Sequence, residues 1–140
     1  MSLVSDYSAT ITVAASRAAI LNVLLDATHL PDWNPAFTSV TPANDGAWHV
    51  RALGILSGTL TYSTSSDADL VMSIVIPGLS ERSTWTITKL SGGATVTHRV
   101  VQEGVLTRVI GSSEASLVPG KRLSRLADYL AHKPTVGHHA

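Results

Sequence analysis

Polar and apolar residues alternate along YSATITV, with Tyr7, Ala9, Ile11 and Val13 on one side and Ser8, Thr10 and Thr12 on the other. A period of two with β-branched residues predicts a half-buried strand. The period then lengthens. Ser16 offers an N-cap to RAAILNVLLDA, where Ile20, Val23, Leu24 and Ala27 fall on one helical face and Leu21 and Leu25 widen it. In HLPDWNPA, Pro31 can open a short helical turn and Pro35 can end it. Six strand-like runs follow: FTSVTPA, AWHVRALG, SGTLTYSTS, LVMSIVIPG, ERSTWTITKL and ATVTHRVVQ. Turns such as Asn44-Asp45-Gly46 and Ser91-Gly92-Gly93 separate them. Such turns join antiparallel hairpins, which need no crossover helix. Past Gln102 the pattern is helical again. Leu106, Val109 and Ile110 suggest a short turn, GSSEAS interrupts it, and Leu123, Leu126, Ala127 and Leu130 recur through KRLSRLADYLAHK. Arg122, Arg125 and Asp128 fall on the opposite side of that helix. Pro134 and Gly137 end the order, so residues 134–140 read as a disordered tail.

This order predicts a single α+β domain over residues 1–133. A strand and two short helices precede about six more strands, and a C-terminal helix closes the chain. A sheet of about seven strands must curl and have its apolar face covered. Only the last helix is long and apolar enough to do so, and it is expected along the concave face. The 140-residue length suits one domain, and 44% hydrophobic residues supply a core. Only 14% of residues are charged, and ten basic residues balance ten acidic ones. No net basic character points to nucleic acid, and no polybasic run points to a membrane surface. No apolar run approaches the ~20 residues of a membrane span, so no membrane insertion is expected. The absence of cysteine excludes disulfides, thiolate nucleophiles and cysteine-ligated metals. With no secretory-type N-terminus, the expectation is a soluble cytoplasmic protein, monomer or homodimer.

Four segments, in this order, resemble those of the START/Bet v 1-like (SRPBCC) superfamily. They are ITVAAS with RAAILNVLLDA, LPDWNP, WTITKLSGGATVTHRV and RLSRLADYLAHK. Together they span roughly residues 5 to 133. The resemblance implies the helix-grip fold, with a large cavity between sheet and C-terminal helix. It also implies a small hydrophobic ligand such as a lipid, sterol or polyketide, or in some members cyclase/dehydratase chemistry. The chain departs from the oxygenase members, lacking an appended metal or Rieske domain. It also lacks the Gly-rich loop typical of plant pathogenesis-related members.

Strand phase nominates the residues that face such a cavity. They are Gly58, Leu60 and Tyr62; then Leu70, Met72, Ile74 and Ile76; then Ser83, Trp85 and Ile87; then Ala94, Val96, His98 and Val100. Trp33, Trp48 and Leu126 join them as ligand-contact candidates. Trp33 either lends its ring to the cavity wall or plugs the gap between the short helix and the sheet. His98 is either a satisfied buried histidine that pairs with Tyr62 or a backbone group, or a group that orients a ligand or acts as a base. Arg51 is solvated if Trp48 points inward, and a cavity cation if the phase flips. A cyclase would use His98, Tyr62 and Arg51 to position and enolise a poly-β-ketone. A third reading is a ligand-free interaction module with a filled core and a stable oligomer. Ligand binding calls for a cavity of roughly 300 Å³ or more that contains Trp85 and His98. A closed core there would move the search to the outer surface and leave LPDWNP as a plug. No metal-ligand spacing, paired inward carboxylates, nucleophile elbow or phosphate loop is present, so neither metal nor cofactor is expected.

Overall fold

The computed structural model describes residues 3–52 and 54–132, so the expectation for the tail lies outside the described residues. Seven strands form one antiparallel sheet in the order β1-β7-β6-β5-β4-β3-β2. They are β1 (Val4–Val13), β2 (Phe37–Pro42), β3 (Trp48–Ala52), β4 (Leu56–Ser65), β5 (Ala68–Ile76), β6 (Leu79–Leu90) and β7 (Gly93–Glu103). Helix α1 (Arg17–Leu25) and a 3₁₀ turn (Ala27–Asp32) follow β1, and α2 (Leu106–His132) is the last described element. This is the expected helix-grip α+β architecture.

The Ser16 hydroxyl caps α1 by accepting from the Ala19 amide at 3.1 Å. The 3₁₀ turn packs on β2, and α2 packs on β1 and β7. The buried stripe of α2 is Ala115, Pro119, Arg122, Leu123 and Leu126. The GSSEAS interruption falls on its first residue: Gly111 leaves helical geometry and kinks α2 there, at φ 80° and ψ 157°, a left-handed φ that glycine adopts without strain. One expectation is corrected here. Arg122 does not lie on the solvent side, because it continues the stripe one turn before Leu126.

The central hairpin fixes what faces α2. Register pairs Glu81 with Gln102, Ser83 with Val100, Trp85 with His98 and Ile87 with Val96, and all eight are buried. Gly58 on β4 is a close-approach position, since an added Cβ would lie 2.0 Å from the Val75 carbonyl oxygen.

Candidate functional site

A cavity of about 200 Å³ lies between α2 and the sheet. Phe37, Ala52, Ile74, Ile76, Leu79 and Ile110 supply apolar wall, and Glu81, Gln102 and Arg122 supply the polar part. The exposed Glu114 and Lys121 mark its rim. A smaller hollow of about 120 Å³ adjoins it, sharing Ala36, Val118, Lys121 and Arg122 and adding Asn34 and Pro35. The turn after Trp33 shapes this end. Buried Asn34 accepts from the Ala36 amide at 3.1 Å through Oδ1, and its carbonyl accepts from the Phe37 amide at 3.1 Å. That closed turn presents Ala36 and Phe37 to the cavity.

The polar wall is one hydrogen-bonded cluster. Arg122 donates to both Glu81 carboxylate oxygens, from Nη1 at 2.7 Å and from Nη2 at 3.0 Å. Gln102 Nε2 donates to Glu81 Oε1 at 2.8 Å, and Ser83 Oγ donates to Oε2. Arg122 and Glu81 are only 7% and 5% exposed, so this is a two-pronged ion pair removed from water. Burial alone would raise the Glu81 pKa, but the Arg122 charge and the three donors outweigh it and hold the carboxyl at about 2. Such a carboxylate is a poor proton acceptor.

Of the residues nominated from strand phase, Ile74 and Ile76 line this cavity. Leu60, Met72 and Leu126 are fully buried members of the packed core. Trp48 is half-buried against that core. Arg51 is corrected: β3 alternates with Val50 and Ala52 inward, which turns Arg51 and His49 to the exposed outer face beside Ser39 and Ser57. Tyr62 is corrected as a cavity group: its hydroxyl donates to the Leu24 carbonyl at 2.7 Å, tying β4 to α1. Burial, then the Asp26 charge, pushes the phenol pKa up.

Trp85 and His98, expected in the cavity wall, do not line it; both are buried in the core beside it, 1% and 0% exposed. The His98 ring stacks on Trp85 at 3.6 Å and 15°, and Trp33 meets Trp85 edge-on at 5.8 Å and 78°. Trp33 is itself buried in the core, 3% exposed. Its indole nitrogen and that of Trp85 have no hydrogen-bond partner among the described residues. His98 Nδ1 lies 3.1 Å from the Thr84 carbonyl, which can only accept, so Nδ1 carries the proton and buried Nε2 is left as an unpartnered acceptor. Burial and then the Arg122 charge lower the His98 pKa to about 3.

A consequence follows for acid stability. The unfolded chain protonates this histidine below about 6.5 while the folded chain resists until about 3, so stability is intact above the first value and falls between the two. The loss from this residue is expected to approach about 1.4 kcal/mol per pH unit. Urea titrations across that window should show a shallower slope for His98→Gln. Equal slopes would mean that the wild-type histidine already titrates as a solvated group.

A family model described as polyketide cyclase / dehydrase and lipid transport matches residues 5–130, nearly the whole chain. The chain belongs to this polyketide cyclase / dehydrase and lipid transport family. Solved structures agree on the fold. A START superfamily protein from Mycobacterium smegmatis is 20% identical, with 89% of this chain and 93% of that one covered at a TM-score of 0.63. A protein from Chromobacterium violaceum is also 20% identical, covering 89% and 96% at a TM-score of 0.67. A STAR-related lipid transfer protein from Xanthomonas axonopodis is 15% identical, covering 91% and 86% at a TM-score of 0.64. No curated protein is similar enough in sequence to match this family member. Among the described residues, no helix is long and apolar enough to cross a membrane, and no group of three His, Asp or Glu side chains is placed to hold a metal.

The residues missed from sequence are Glu81, Gln102 and Arg122. The first two share parity with Ser83–Trp85 and His98–Val100, so extending each inward row by one step would have found them. Arg122 is joined to Glu81 across 41 positions, a contact that no local spacing announces.

Proposed function

We propose that this protein binds a small apolar molecule in the cavity between the sheet and α2. The observation that carries the reading is an aliphatic and aromatic cavity of about 200 Å³ left open in an otherwise packed core. Ligand sites combine such apolar walls with a few fixed polar groups. Drug-sized ligands occupy roughly 300–1,000 Å³, so this cavity suits a smaller molecule, or one end of a longer molecule that leaves past Glu114 and Lys121. Membership of a family that includes lipid transport supports the reading. A module without a ligand would have no need of the opening.

The cyclase alternative has less support. Its three nominated groups do not converge: Arg51 faces outward, Tyr62 is tied to α1, and His98 is sealed under Trp85.

Ala52→Leu tests ligand binding. Ala52 is buried on β3 and lines the cavity, so added methyl groups occupy ligand space. Titration with a fluorescent apolar probe is expected to show about tenfold or greater loss of affinity, with the melting temperature little changed. Native mass spectrometry of protein purified from cells should show a bound small molecule that the variant lacks. Undiminished probe binding by the variant would place the ligand elsewhere, and a failure of the wild type to bind any apolar probe would remove the proposal.

A further inference from the structure

We infer that the cavity selects molecules whose inner end is a neutral group that both donates and accepts hydrogen bonds, an alcohol or a carboxamide, over carboxylates and amines of equal length. This rests on the ligand-binding reading and specifies its ligand class.

Hydrogen-bond accounting at the polar wall supports it. Arg122 has five N–H donors. Nη1 serves Glu81 and, at 3.4 Å, Ser83, while Nη2 spends one donor on Glu81. The second Nη2 proton and the Nε proton have no partner among the described residues. Gln102 must point Nε2 at Glu81, because a carboxylate only accepts. Its Oε1 is thereby left without a donor among the described residues. Both side chains line the cavity. The wall therefore offers spare donors from Arg122 and a spare acceptor from Gln102.

Charge narrows the choice. Glu81 and Arg122 neutralise each other, and no second ionised group is buried among the cavity-lining residues. A carboxylate would have to shed its water, approach Glu81 and compete for Arg122. An ammonium would meet Arg122 and compete for a carboxylate that already accepts four hydrogen bonds. A hydroxyl or carboxamide accepts from Arg122 and donates to Gln102 without disturbing the pair. A carboxylate has another option, which is to stay at the rim beside exposed Lys121 with its tail inward.

The experiment is a competition series on the full chain near neutral pH, with 1-octanol, octanamide, octanoate, octylamine and n-octane displacing a fluorescent apolar probe. Octanol and octanamide are expected to bind at least about tenfold more tightly than the two ions and the alkane. Gln102→Leu should bring both close to n-octane while leaving n-octane itself unaffected. If that variant does not fold, the wild-type series still decides the matter. Equal affinity for all five would overturn the inference and leave the cavity reading standing. Tightest binding by octanoate, lost in Lys121→Ala, would put the polar end at the rim and also overturn it. Displacement by none of the five, with no uptake of the probe itself, would remove both readings.

Discussion

Replacing Arg122 by leucine is expected to cost roughly 3–5 kcal/mol of folding stability, a large part of the ~5–15 kcal/mol available to a domain of this kind. The cost comes less from the lost attraction than from what remains. Glu81 would stay buried with its charge and with Ser83 and Gln102 as its only donors. The acid dependence should also change sign. The wild-type carboxyl binds its proton at about 2, against 4.5 ordinarily, so its contribution is complete above 4.5 and is lost only as the pH falls toward 2. Without Arg122, burial pushes the folded carboxyl's pKa upward, so the stranded charge costs stability near neutral pH and that cost is relieved as the pH falls and the group takes up its proton. A double-mutant cycle with Glu81→Leu and urea denaturation measures the coupling. Removing both partners is expected to cost much less than the sum of the single changes, because an apolar pair leaves no stranded charge. Additive costs would mean that the two groups are separately solvated and do not form one buried unit.

Architecture was legible because it is written in periods. Alternation in β1, β4, β6 and β7 located the strands and their buried faces, and Ser16 announced the start of α1. Parity placed both Trp85 and His98 on the inner face, and the register of the hairpin then sets them side by side. The position of the empty space was not legible, because it depends on how far α2 stands from each strand. Large rings at Trp33 and Trp85 fill their end of the groove, whereas Ala36 and Ala52 leave room at the other. Arg122 was misplaced for a physical reason. A charged residue on an amphipathic helix normally faces water, and only a carboxylate on a distant strand makes the inward position tolerable. Arg51 shows another limit: AWHVR is too short for its alternation to fix a phase, and the structure turns this arginine outward.

Trp85→Ala is the second large effect. The ring is 1% exposed, stacks on His98 and receives Trp33 against it, so truncation removes the centre of a three-ring cluster. Tryptophan-to-alanine changes in cores cost about 3–5 kcal/mol, and the lost ring contacts add about 0.5–1.5 kcal/mol for each aromatic pair. Trp85→Phe should keep much of the packing and cost far less. The variant also tests the closed state of His98. Opening the space beside it admits water to Nε2, so its pKa is expected to rise from about 3 toward the ordinary 6.5, and the acid dependence assigned to this histidine should shrink. Urea denaturation gives the stability, and an NMR titration of the His98 ring follows the proton. A cost below about 1 kcal/mol, with His98 still resisting protonation, would mean that the neighbours collapse onto the gap. A similarly small cost accompanied by loss of ligand binding would make Trp85 part of the binding wall and extend the cavity past Ser83 toward the hairpin turn.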